Sequence, residues 1–240
     1  MADALPATAP RTSGLVDHLG RPLVASQMTI EVAGPSTSGV RSIVSGHPAQ
    51  GLTPERLAGL LRGAEHGDAT AYLELAEEME EKDLHYLSVL GTRKRAVSQL
   101  PIEVQAASDD ANHEADAQLV RDWLKRDTLE IELFDILDAV GKGFSVTEIV
   151  WEFTAKAWLP CRLKWRDPRW FEFDRVDGET IMLRTTGPSE LLTGFKYIAH
   201  VHPAKSGLPI RSGIARAVTW SYMFKNYSVK DWVTFMDAYG

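Results

Sequence analysis

A few side chains in this 240-residue sequence have the types and spacing to do chemistry. His200 and His202 alternate along an extended stretch. Both would point to one face about 6–7 Å apart, close enough to chelate a metal. The nearest acid upstream is Glu190, so no third ligand is at hand, and two polar sheet-face histidines are the plainer reading. Cys161 could act as a nucleophile only with a base nearby and an electropositive setting. It alternates in phase with Leu159, Leu163 and Trp165, which makes it a filler of the core. Ser88 and His85 fall on a helical pattern with no sharp elbow to present a hydroxyl. Gly141-Lys142-Gly143-Phe144-Ser145 carries two glycines and a lysine. A phosphate cradle needs strand, glycines, then helix. Here the helix comes first, so the glycines stop it. The carboxylates fall on solvated helical faces, and no pair sits in an apolar run that would raise a pKa for acid–base work. No metal, cofactor or catalytic residue is therefore expected, and the chain is not read as an enzyme.

The remaining cluster is aromatic and basic. Trp151, Trp158, Trp165 and Trp170 stand among Arg162, Lys164, Arg166 and Arg169. Packing within a small sheet is the first reading, and a subunit interface the second, because Trp and Arg are favoured anchors there. A stacking surface for single-stranded nucleic acid is the third.

Charge narrows these choices. The net charge is −7, which lacks the basic face that duplex binding needs. Residues 51–140 hold 9 Lys and Arg against 20 Asp and Glu, whereas residues 141–240 hold 14 against 10. The acidic half reads first as a solvated face and second as a charge partner for the other half. One cysteine excludes an internal disulfide, and Met1–Gly14 has no apolar signal core. A cytosolic, reducing setting is expected.

The elements that would position these residues form an α+β pattern. Residues 1–50 are rich in small and turn-forming types and read as a flexible arm. Thr53 and Pro54 open a first helix, which Gly67 closes. A second runs from Ala69 with Tyr72, Leu75, Ala76 and Met79 inward and Glu74, Glu77, Glu78 and Glu81 outward. Asp83 caps a third, in which Tyr86, Leu87, Leu90 and Val97 form the stripe. Leu100–Val104 reads as a strand. Helices over 112–126, with Ala115, Leu119, Val120 and Trp123 inward, and over 129–141 follow. The middle is β: one strand through Phe144–Phe153, a turn around Thr154–Lys156, then Leu159–Arg166 with Arg162, Lys164 and Arg166 on the solvent face. A second hairpin, Trp170–Asp174 with Thr180–Arg184, turns at Asp177-Gly178. Tyr197–His202 is one more strand, and a long helix runs from Ile214 to Asp237.

Several stretches, in order, resemble one family. They are GLTPERLA at Gly51–Ala58, YLELAEEMEEKD at Tyr72–Asp83 and LHYLSVLGTRKRA at Leu84–Ala96. GFSVTEIVWE at Gly143–Glu152, DPRWFEFD at Asp167–Asp174 and the closing Phe224–Gly240 complete the series. Together they resemble the portal proteins of Mu-like phages and prophages. The resemblance implies a structural subunit in a ring of about a dozen copies at a capsid vertex, a conduit for DNA packaging and ejection. It implies a virion location, host cytoplasm during assembly, and as partners the terminase large subunit, head-completion proteins and capsid proteins. Residues 51–210 would form the wing, and 211–240 the first stem helix. Arg216, Lys225 and Lys230 would then lie on the channel-lining helix, and Trp151, Trp158, Arg162, Trp165, Arg166 and Trp170 at an interface. Portal proteins continue well past this point, so the chain is expected to be truncated.

Overall fold

The computed structural model describes residues 12–35, 49–154 and 157–239. The chain divides into two compact units. One combines the described N-terminal residues with Val146–Ala199; the other combines 49–145 with the residues from His200 onward. Helices and small antiparallel sheets are segregated along the chain, so the fold is α+β.

In the first unit, β1 (Thr12–Val16) and β2 (Pro22–Val24) form an antiparallel hairpin, followed by the short helix α1 (Ala25–Thr29). The Asp17 carboxylate fixes the turn by accepting from the backbone N–H of Leu19 and Arg21 at 2.9 and 2.8 Å. β3 (Phe144–Phe153) pairs antiparallel with β4 (Trp158–Arg166), from Val146 opposite Arg166 to Phe153 opposite Trp158. The three-stranded antiparallel sheet of β5 (Phe171–Phe173), β6 (Ile181–Leu183) and β7 (Glu190–Leu191) follows, and β8 (Tyr197–Val201) lies on the free side of β3. Leu23, Met28 and Ala33 are buried, as are Val146, Val150 and Leu163.

The expected flexible arm over 1–50 is therefore corrected for residues 12–35, which fold into the first unit; residues 1–11 and 36–48 lie outside the described residues. Short apolar anchors do there what a continuous apolar run does elsewhere. The two units are discontinuous in sequence and do not share the bounds 51–210 and 211–240. β3 carries the chain from one unit to the other, and β8 carries it back.

The second unit is helical: α2 (Pro54–Glu65), α3 (Thr70–Lys82), α4 (Leu84–Ser98), α5 (Ala111–Leu124), α6 (Leu129–Ile136), α7 (Ala139–Lys142) and α8 (Ile214–Tyr239). Thr53 caps α2 by accepting from Arg56 N–H at 3.2 Å, with Pro54 at the first helical position. Asp83 caps α4 by accepting from His85 and Tyr86 N–H. α3 is central and packs against α2, α4 and α8. Its inward face is the one its periodicity predicts: Tyr72, Leu75, Ala76 and Met79 are fully buried.

Four details differ from the sequence reading. Leu100–Val104 forms no strand and is a connection without regular structure. Glu78 is buried, accepting from Ala49 N–H at 2.9 Å and pairing with Lys82. Leu87, Val97, Leu119 and Val120 are exposed, although each sits on an apolar stripe at helical spacing. The helix expected over 129–141 breaks at Leu137–Asp138 into α6 and α7.

Two glycines lock the second unit. Gly143 ends α7 in the left-handed region at φ +100°, and its N–H donates to Ala139 O at 2.7 Å. A Cβ there would stand 2.5 Å from Pro209 O, and one on Gly213 would stand 2.4 Å from Gly141 O. The backbone before β3 and the backbone entering α8 touch directly, which only glycine permits. Gly143→Ala is expected to destabilise by about 2 kcal/mol or more, combining left-handed strain with the backbone clash. Gly207→Ala, at φ +106° with open space around it, should cost only the strain, about 1 kcal/mol. Urea denaturation midpoints compare the two.

Candidate interaction surfaces

In the first unit the aromatic and basic residues are organised around one buried carboxylate. β3 is covered on both faces from Phe144 to Glu148, so Glu148 is 0% exposed. A charge there survives only when it is paired and hydrogen-bonded. Glu148 accepts from Arg166 Nε at 2.7 Å and from the backbone N–H of Val32 and Ala33 at 2.6 and 3.2 Å; Lys196 Nζ stands 3.2 Å away. Lys196 in turn donates to the carbonyls of Met28, Ile30 and Ile149 at 3.1, 2.5 and 3.0 Å. Burial pushes its pKa down, against the pull of Glu148. Glu31 completes the clasp by pairing with Lys164 and, at 2.8 Å, with Arg166. Hydrogen bonds from Lys164 and then Arg166 hold its carboxyl at about 2, against the opposing effect of burial. Segment 28–33 is thus tied to the sheet by charge.

This arrangement redistributes the basic–aromatic cluster. Arg166, expected on the solvent face, is buried against Glu148. Arg169 pairs with Asp167, so three of the four flanking cations are committed to carboxylates; Arg162 is exposed. The tryptophans of the cluster are half-buried. Trp151 Nε1 donates to Phe195 O at 2.8 Å, and Trp158 packs against Phe153 with ring centroids 5.1 Å apart. Trp151, Trp158 and Phe195 line an apolar groove of about 350 Å³ together with Leu15, Leu23 and Met28. Phe195 is held there at φ +58°, uncommon for an aromatic residue.

Cys161 is exposed, not a core filler. The β3–β4 register shifts between Val150 and Trp151, whose partners are Arg162 and Pro160, and Cys161 is the extra residue of that bulge. A bulge reverses the alternation on which the sequence reading relied. His200 and His202 are half-buried, and burial followed by the nearby His202 lowers the His200 pKa. Among the described residues no group of three or more His, Cys, Asp or Glu comes together in a metal-holding cluster.

In the second unit the long helix is tethered at its start. Arg216 Nη1 donates to Leu61 O at 3.2 Å and the guanidinium pairs with Glu65. Lys225 Nζ stands 3.0 Å from Asp83, and Tyr227 OH donates to Leu52 O at 2.6 Å. Burial raises the Asp83 pKa, but the Lys225 contact and the capping N–H groups outweigh it and leave it lowered. From Phe224 to Tyr239 every residue of α8 is exposed, Lys230 included. Trp232, Phe235, Met236 and Tyr239 are each more than half exposed. No helix among the described residues is long and apolar enough to cross a membrane.

A second buried charge cluster lies beneath α4. Lys142 Nζ donates to Asp138 at 2.8 Å, and Lys94 Nζ sits 3.9 Å from Asp138 and 4.0 Å from the centre of the Phe134 ring. Burial works against the Lys142 charge, but Asp138 and Glu80 prevail and raise its pKa. Sequence reasoning found neither cluster. The signal for Glu148 was present, as the one acid within the stretch Phe144–Trp151.

Comparison with known proteins adds an independent finding. Residues 73–240 match the family described as the portal protein of Mu bacteriophage. The Mu-like prophage FluMu protein gp29 of Haemophilus influenzae is 39% identical over 202 residues, covering 82% of this chain and 39% of that protein. The portal protein of Escherichia phage Mu is 37% identical over 197 residues, covering 81% and 38%. The chain thus spans about two fifths of the length of the curated relatives it matches.

Replacing Glu148 by Ala should destabilise by about 3–5 kcal/mol, because Arg166 and Lys196 are left buried without their partner. Thermal and urea unfolding measure this. Glu31 has a folded pKa below its ordinary 4.5, so its contribution is present above that pH and lost as pH falls toward 2. Glu31→Gln should therefore flatten the stability profile between about pH 5 and 2, read by urea unfolding at a series of pH values.

Proposed function

We propose that this chain, which belongs to the Mu bacteriophage portal protein family, is a structural part of a portal subunit. It would assemble with copies of itself into a ring at the capsid vertex and leave a passage for DNA. The observation that carries this reading is the family match over residues 73–240, joined to the bare aromatic length of α8. An isolated helix gains nothing from exposing Trp232, Phe235, Met236 and Tyr239, whereas a subunit surface awaiting a neighbour does. Tethering of Arg216 to Glu65 and Lys225 to Asp83 holds α8 at its start, as a helix leading toward a stem requires. Lys230 stands on the free length and is the residue of the three best placed to face a channel.

The net charge of −7 suits a conduit through which DNA slides without sticking. A structural and not an enzymatic role agrees with the way the candidate nucleophiles and ligands are used: Cys161 at a bulge, His200 and His202 on a strand end, and buried carboxylates matched to cations. Terminase, head-completion and capsid proteins are the partners this role calls for, in the virion and, during assembly, in the host cytoplasm. The competing reading, single-strand binding by the tryptophan hairpin, is disfavoured by the commitment of Lys164, Arg166 and Arg169 to carboxylates.

Expressed from its complete reading frame, the protein is expected to form closed rings in negative-stain images, with a light-scattering mass many times that of one chain. A monomer at all concentrations would sink the proposal. Titration of a labelled single strand at low salt should show no binding that Arg162→Ala removes.

A further inference from the structure

Two surfaces of the second unit are left uncovered, and they complement each other. The first is a groove of about 300 Å³ between α4 and α8. Its floor is apolar, formed by Tyr86, Val89 and Leu90 on one side and Ile214, Val218 and Tyr222 on the other. His85, Arg93 and Lys225 stand on its rim, with Asp83 already engaged by Lys225. The residues that α8 gives to the groove, Ile214, Val218, Ser221, Tyr222 and Lys225, recur three or four apart along one face of that helix. Tyr86, Val89 and Arg93 on α4 follow three and four. Two helical walls present ridges and grooves of the kind into which a third helix packs.

The second surface is α5. Ala117 is its one buried residue among the fourteen. On the opposite side Ala115 and Leu119 stand four residues apart and face outward as a short stripe, with Leu119 50% exposed; Trp123, four further on, is half-buried under the Arg126 guanidinium, 3.6 Å from its ring centre. Asp116 and Asp122 border the stripe. α5 holds three acids, Glu114, Asp116 and Asp122, and one arginine; Glu114 pairs with Arg121 and Asp122 with Lys125. An acidic helix with an apolar stripe thus faces outward on the same chain that carries a basic-rimmed apolar groove.

We propose that α5 of one copy docks into the α4–α8 groove of the next, with Leu119 toward Val89 and Asp116 toward Arg93. This inference rests on the ring reading and supplies one of its contacts. The two surfaces are different patches, so the contact is head-to-tail, the kind that repeats around a ring when the rotation closes. Opposite charges at the rim set the register and disfavour groove-to-groove pairing.

The test is a charge exchange on this chain, read by sedimentation velocity over a concentration series, with circular dichroism to confirm folding. The unmodified chain should self-associate reversibly. Arg93→Glu and Asp116→Lys should each weaken association roughly tenfold, since each sets like charges across the contact. An equimolar mixture of the two variants should recover association, because alternating copies then meet opposite charge at every joint, the groove of each variant accepting the helix of the other. That recovery cannot come from a folding defect. Association that neither variant alters, or variants that weaken it without recovery on mixing, would overturn the contact while leaving the ring reading intact. A chain monomeric throughout would also overturn it, and the ring reading would then stand or fall on the particles formed by the complete reading frame.

Discussion

The first unit depends on one electrostatic constraint: a carboxylate with no solvent exposure must be fully matched. Glu148 lies where β3 is covered on both faces, so its charge is tolerable only with Arg166, Lys196 and two backbone N–H groups around it. Those backbone donors belong to Val32 and Ala33, and the carbonyls that satisfy Lys196 include those of Met28 and Ile30. The N-terminal segment is therefore a required ligand of the sheet's own buried charge. A polar composition that cannot build a core by itself is ordered because the sheet needs its backbone. The same demand sets the fate of the basic cluster, since cations engaged by Glu148 and Glu31 are not available to phosphates.

The second unit meets a related constraint differently. Its buried charges, Asp138 with Lys142 and Lys94, sit beside the place where Gly143 and Gly213 bring two backbones into contact. Close approach leaves no room for water at that joint, so polar side chains nearby have to satisfy one another. Lys142 and Asp138 do so across one turn of α7. Apolar packing of α3 against α2, α4 and α8 supplies the bulk of burial, and the paired charges fix how α7 meets α4.

Much of this was legible in the sequence. Helix starts at Thr53 and Asp83, the inward face of α3, both hairpins and the long final helix follow from capping chemistry and periodicity alone. What was not legible has identifiable causes. Period arguments assume an unbroken strand, so the bulge at Cys161 inverted the reading of that residue. They also assume that a charge on a strand seeks solvent, which hid Arg166 and Glu148. Composition marked residues 12–35 as unstructured because their partners lie more than a hundred positions away, as Val32 and Glu148 do. The α+β class and the likeness to phage portal proteins came through because both are spread over many short segments, none of which has to be right alone.

The stripes that misled the reading of α4 and α5 carry a different lesson. Leu87, Val97, Leu119 and Val120 recur at helical spacing, and apolar residues at that spacing ordinarily mark a buried face. Here the periodicity is sound but nothing among the described residues covers the stripe. α8 repeats the pattern near its end, where Trp232, Phe235 and Tyr239 keep a three–four spacing in the open. Burying a side chain of this size is worth about 1.5–3 kcal/mol, so a lone chain forgoes a sizeable gain at each such position. A periodic apolar stripe that one copy leaves bare is most simply read as a face whose cover lies outside that copy, which is the condition under which a subunit gains by assembling.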